Sequence, residues 1–356
     1  MLGDVTNPTG KSFGSDNHAG VHPAVMAALA AANTGDEVAY GDDDLSRRAE
    51  QMLCDASGAA AAFLVFNGTA ANVTGLSLML RPFEAVICAE TSHLNVDECG
   101  AAERILGSKL LAVPTPDGKL TPDLVASRLG GRGDEHRAQP RVVQLAQLTE
   151  VGTCYSLPEL HALRDFCREN GLLIYVDGAR LANAVAHLGC SIADMAGCVD
   201  ILSFGGTKNG ALGVEAILVM NGNLAATALF QRKQLMQLSS KMRFLSAQIV
   251  GLLEDDVWLK NAEQANGMAR RLVAAISGLP GVNLAYSMDG NGVFAEMDQE
   301  LAESLQRDWR FHVWSANGKG RCVVRLMTAF DTTEADVDAL AAAMRDGLIH
   351  VKQSTA

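Results

Sequence analysis

Basic charge is what this sequence has least of: 29 Lys and Arg stand against 41 Asp and Glu, a formal net charge of −12. Nucleic-acid binding relies on clustered Lys and Arg that displace counterions, so no nucleic-acid partner is expected, and any anion must be met by a local site. Long apolar runs are missing too. Stretches such as residues 59–66 fall far short of the ~20 residues that span a bilayer, so no membrane association is expected. The opening Met-Leu-Gly-Asp-Val-Thr-Asn-Pro lacks the charged start and apolar core of a signal peptide, and no secretion is expected. The eight cysteines (54, 88, 99, 154, 167, 190, 198 and 322) contain no C-x-x-C pair, and several lie in apolar runs such as Val86-Ile87-Cys88. They read as reduced, mostly buried thiols of a cytoplasmic protein. The histidines at 18, 22, 93, 136 and 161 have no metal-ligand spacing, so no catalytic metal is expected. Gly10-Lys11-Ser12 ends like a phosphate loop, but Val5 stands where that motif needs glycine.

What is present describes a chain that folds along nearly all its length. At 356 residues, with 48% hydrophobic and 20% charged, it is long enough for one large unit and one smaller one. After an arm and loops around a helix at 23–32, apolar runs at 61–66, 85–89, 109–113, 142–148, 172–176, 201–204 and 216–220 alternate with helical patterns. Runs of this kind suit strands buried on both faces, so they predict an α/β fold with a mainly parallel seven-stranded sheet. Residues 224–253 read as helical, and the order changes near Asp255. A long helix at 257–277 and strands at 292–297, 311–315 and 321–327 follow. The division expected is a large domain of residues 1–254 with its N-terminal arm and a smaller α+β domain of residues 255–356, with fraying at 353–356.

Four features carry chemistry. The strand Ile174-Tyr175-Val176 delivers Asp177 at its C-terminal end, where open α/β sheets place ligands. Lys208 follows another strand within Gly205-Gly206-Thr207-Lys208-Asn209-Gly210, a small-residue loop that lets a bulky group reach its amine. Singly, the acid serves equally well as a helix cap and the lysine as a solvated loop residue. Together they suit pyridoxal phosphate, because a carboxylate that keeps a pyridine nitrogen protonated makes the ring an electron sink. Asn67-Gly68-Thr69 opens a helix after the first strand, and free N–H groups there suit a phosphate. His93 follows the second strand, where an imidazole can stack on a ring or move a proton. A nucleotide-binding dehydrogenase or a non-catalytic binding module would need a G-x-G-x-x-G turn, which Phe66-Asn67-Gly68-Thr69-Ala70-Ala71 does not supply.

In this set of motifs the sequence resembles the low-specificity threonine aldolases and their phenylserine-cleaving relatives, a branch of the aspartate-aminotransferase-like pyridoxal-phosphate enzymes. The likeness runs through Ser15-Asp16-Asn17-His18, Ala39-Tyr40-Gly41-Asp42-Asp43, Asn67 to Asn72, Ser92-His93, Val176 to Arg180, Gly206 to Gly210, Lys241-Met242-Arg243 and Val324-Arg325-Leu326. It implies the transferase-like fold of that branch, and a lyase that cleaves β-hydroxy-α-amino acids (threonine, allo-threonine, phenylserine) to glycine and an aldehyde. An aminotransferase, racemase or β-eliminating lyase would use the same cofactor.

By this resemblance Lys208 forms the Schiff base, Asp177 meets the pyridine nitrogen, His93 stacks on the ring, and Asn67, Gly68 and Thr69 bind phosphate. Arg180 lies beside the cofactor's phenolic oxygen or the substrate carboxylate, and Ser15 and Arg325 hold that carboxylate. Tyr40 and Arg243 reach the site of a neighbouring subunit in a homotetramer built as a dimer of dimers. Where many relatives carry histidine in a Thr-His-Asn-Gly turn, this chain has Leu148-Thr149-Glu150-Val151-Gly152. Glu150 is therefore either the base for the hydroxyl proton or a structural glutamate.

Overall fold

The seven apolar runs lie side by side in one sheet. In this computed structural model residues 11–354 are described, with side chains described to residue 349. The opening stretch with Val5 and Gly10, and residues 355–356 of the segment expected to fray, lie outside the described residues. In chain order, helices α1 (Pro23–Ala32) and α2 (Asp44–Ser57) lead to β1 (Ala61–Val65), and α3 (Gly68–Ser77) leads to β2 (Glu84–Ala89). Short α4 (His93–Val96) and α5 (Ala101–Leu106) precede β3 (Lys109–Val113), and α6 (Pro122–Ala126) precedes β4 (Gln139–Ala146). Next come α7 (Leu157–Glu169), β5 (Leu173–Asp177), α8 (Leu181–Leu188), α9 (Ile192–Ala196), β6 (Ile201–Gly205) and β7 (Glu215–Val219).

The strand order is β1-β7-β6-β5-β4-β2-β3. Every pairing from β6 across to β3 is parallel, and only β7 runs against its neighbours β1 and β6. Alternate residues explain why the strands are apolar throughout. Ile174, Val176, Leu202, Ala216 and Leu218 enter one core with residues of α2, α7 and α8. Tyr175, Ile201, Ile217 and Val219 enter a second core with Ala71 and Leu76 of α3. Both faces are covered, as a parallel sheet requires. A capping box at Ser156 and Glu159 starts α7, which returns the chain to β5.

Beyond β7, α10 (Ala228–Gln234) and α11 (Arg243–Leu253) lead into the long α12 (Val257–Ile276). A four-stranded antiparallel sheet follows, made of β8 (Asn283–Leu284), β9 (Gly292–Asp298), β10 (His312–Ala316) and β11 (Arg321–Met327), in the order β10-β11-β9-β8. Helices α13 (Gln299–Leu305) and α14 (Glu334–Ser354) complete the chain. This sheet has a separate core, which includes Val293, Ala295, Val324, Leu326, Leu272 and Leu340.

The N-terminal arm is tied to the smaller sheet. Phe13 N donates to Arg310 O at 2.8 Å, and Met327 N donates to Phe13 O at 2.7 Å. That pairing carries residues 14–16 to the edge of the large sheet. Among the described residues no helix is long and apolar enough to cross a membrane. All eight cysteines are free, five of them buried, while Cys99 is exposed.

Candidate active site

Residues far apart in the chain converge where β1, β2, β4, β5 and β6 end. One cavity is lined by Gly68, Asn72, His93, Glu98, Ala146, Leu148, Glu150, Asp177, Ala179, Arg180 and Lys208. Close backbone approach makes this convergence possible. A Cβ on Gly178 would lie 1.9 Å from Ser203 O, and one on Gly205 would lie 2.4 Å from Ala179 O. Only glycine lets the ends of β5 and β6 sit this close, and Gly178 N donates to Ser203 Oγ at 2.8 Å.

Asp177 is buried and held from both sides. Its Oδ1 accepts from Ala179 N at 2.9 Å, and its Oδ2 accepts from Asn72 Nδ2 at 2.9 Å. The amine of Lys208 has no hydrogen bond or ion pair among the described residues. The nearby Arg180 guanidinium, together with burial, holds it below its ordinary value, which favours the neutral amine a nucleophile needs. At the start of α3, Asn67 Oδ1 accepts from Ala70 N at 2.9 Å. The N–H groups of Gly68 and Thr69, the first two of the helix, have no intrahelical partner, and a Cβ on Gly68 would meet nothing within 4 Å.

Glu150 spans two spaces. It lines the Lys208 cavity and also an adjoining one formed with Arg180, Asn291, Phe294, Arg325 and Met327. Its Oε1 accepts from His93 N at 2.8 Å. Burial pushes its carboxyl up to about 7, so it exchanges protons near neutrality.

Arg180 donates from Nε to Asp16 Oδ2 at 2.7 Å and from Nη2 to Asp16 Oδ1 at 3.0 Å. Burial would raise the Asp16 carboxyl, but Arg180 and its neighbours outweigh that and hold it at about 2. Arg325 donates to Gly14 O at 3.1 Å and lies over the Trp314 ring at 5.4 Å. Its buried Nε has no hydrogen-bond partner among the described residues. The arm thus steadies both guanidinium groups and leaves donor capacity facing the cavity.

The remaining expected residues stand outside these two spaces. Thr69 is half-buried in the first turn of α3, and Ser15 Oγ accepts from Asn17 N at 3.2 Å to cap a short turn. Tyr40 is exposed, with Lys233 Nζ 5.0 Å from its ring centroid. Arg243 donates to Thr34 O and Gly35 O and lines a separate groove between α1, α2 and α11. Three polar residues at the centre went unassigned in the sequence: Asp16, Asn72 and Glu98. The first two belong to quoted motifs that gave them no role, and Glu98 carries no local signal.

This donor set fits pyridoxal phosphate. An amine and a carboxylate line one cavity with an imidazole, beside a helix start whose first glycine leaves room for an anion.

Comparison with known proteins bears on the family, the fold and the cofactor. The beta-eliminating lyase family matches residues 12–300. A low-specificity L-threonine aldolase of Pseudomonas aeruginosa is 44% identical over 94% of this chain and 97% of its own length. One from Escherichia coli is 28% identical over 90% of this chain and 94% of its own. A solved threonine aldolase of Leishmania major superposes with a TM-score of 0.90 at 30% identity, covering 95% of this chain and 99% of that one.

Proposed function

The chain belongs to the beta-eliminating lyase family and, within it, to the threonine aldolases, and from that premise we propose how its own residues work. It is a pyridoxal-phosphate-dependent carbon–carbon lyase that cleaves β-hydroxy-α-amino acids such as threonine to glycine and an aldehyde. The cofactor, when bound, supplies a sink for the electron pair left on the substrate's Cα as the Cα–Cβ bond breaks.

Lys208 would hold the cofactor covalently through Nζ, Asp177 would keep its ring nitrogen protonated, and His93 would pack against the ring. Asn67, Gly68 and Thr69 hold the phosphate. Arg180 and Arg325, with Ser15, would fix the substrate carboxylate and so orient the substrate. Glu150 takes the proton from the β-hydroxyl oxygen. A carboxylate with a value near 7 is matched to that task at neutral pH. Tyr40 and Arg243 serve the site of a neighbouring subunit in a homotetramer working in the cytoplasm, a reading supported by their position away from their own chain's cavity. Residues 1–254 and 255–356 act as two domains with the substrate carboxylate between them.

The observation that carries this reading is the shared cavity of Lys208, Asp177 and His93. Purified protein incubated with threonine or phenylserine should yield glycine and an aldehyde. A keto acid in their place would refute the aldolase assignment.

A further inference from the structure

We propose that Glu98 is a positioning residue that joins the two side chains facing the cofactor ring, holding the His93 imidazole through Nδ1 and the Asp177 carboxylate through Asn72. The inference rests on reading this cavity as the cofactor site. Glu98 sits in the turn between α4 and α5, 5% exposed. A buried carboxylate is costly unless it is hydrogen-bonded or paired. Among the described residues Glu98 has no Lys or Arg against it, and its one ion-pair contact is with His93, whose Nδ1 lies 3.0 Å from Glu98 Oε1. The other polar contact to that oxygen is from Asn72 Nδ2 at 2.7 Å, and Oε2 has no hydrogen-bond partner among the described residues. Among the described residues Glu98 therefore meets two side-chain partners, the His93 imidazole and the Asn72 amide.

Asn72 makes the second link. Its Nδ2 donates one way to Glu98 Oε1 at 2.7 Å and the other way to Asp177 Oδ2 at 2.9 Å. Its Oδ1 accepts from Tyr175 OH at 2.8 Å, so the amide cannot turn over without pointing its oxygen at two carboxylates. Glu98 and Asp177 are thus held by one rigid amide, and movement of either is felt by the other. Four groups bear on the charge of His93: Glu98 from the turn after α4, Asp177 from β5, Glu150 from the loop after β4, and Lys208 from the loop after β6. The hydrogen bond with Glu98 is the largest influence and raises the imidazole above its ordinary value, with burial opposing it.

The test uses the full chain, with inorganic-phosphate-free buffer and pyridoxal phosphate as the probe. His93 is titrated by NMR on histidine-labelled protein, and cofactor affinity is read from absorbance. In Glu98→Gln the His93 midpoint should fall below that of wild type, and the cofactor should bind about tenfold more weakly. In Asn72→Ala the His93 midpoint should stay in place while affinity falls similarly. Glu98→Asp, which keeps the charge, should recover part of both properties, and these last two variants carry the test if Glu98→Gln does not fold. A wild-type chain that takes up the cofactor while its variants match it in titration and affinity overturns this inference alone. A wild-type chain that takes up no cofactor overturns the site reading and this inference with it.

Discussion

Replacing Asp16 with Asn removes a charge that the sequence alone assigned to no task. Asp16 is 3% exposed and receives two hydrogen bonds from Arg180, plus one from Asn291 Nδ2 at 3.0 Å. Its carboxyl is held at about 2 against an ordinary 3.8, a preference for the ionised form of about 2.5 kcal/mol at neutral pH. Breaking a buried pair from one side costs roughly 3–5 kcal/mol, because the other charge stays buried. Asp16→Asn keeps the shape and some hydrogen bonding, so a loss of about 3 kcal/mol is expected at pH 7. The sign with pH follows from the depressed value: the contribution is complete above about pH 4 and disappears as pH falls through about 2. Urea unfolding of wild type and variant at pH 7 and at the lowest pH where both remain folded measures the difference and its decline. A second readout is KM for threonine, which should rise because Arg180 loses the fork that aims it. A variant within about 0.5 kcal/mol of wild type, or a difference that does not shrink in acid, would refute the reasoning.

Other outcomes follow from the same geometry. Glu150→Gln should lower cleavage by about 10²–10⁴-fold without loss of cofactor. The wild-type rate should fall as pH drops through about 7, and that limb should vanish in the variant; unchanged kinetics would remove Glu150 from the proton transfer. Gly178→Ala puts a methyl 1.9 Å from Ser203 O, so it should cost about 1–3 kcal/mol in unfolding experiments. It should also weaken cofactor uptake by displacing Asp177, and wild-type affinity in this variant would count against the close approach described here.

Strand positions were legible because a sheet covered on both faces needs uninterrupted apolar runs, and the ends of those runs point to its C-terminal edge. Asp177 stands at such an end, and His93 and Lys208 lie just past two others. Boundaries moved by a few residues: β4 occupies Gln139–Ala146 rather than 142–148. The two-residue β8 is too short to leave a pattern. Asp16 was hidden because its partner Arg180 is 164 residues away, a pairing that no local spacing expresses. Glu98 was hidden for a similar reason. Beside Asp97 in an exposed-looking turn, it reads as a solvated acid, and only the fold turns it inward to His93 and Asn72. Arg325, which in isolation suits a salt bridge, bonds a backbone carbonyl of the arm and keeps one buried N–H free.

The central claim is that Lys208 and Asp177 act on one bound ring. Borohydride reduction of the purified protein, followed by mass spectrometry of its peptides, tests it most directly. The account predicts a single pyridoxyl adduct on Lys208, lost in Lys208→Ala and diminished in Asp177→Ala. An adduct on another lysine, or none on wild-type protein supplied with pyridoxal phosphate, would contradict it.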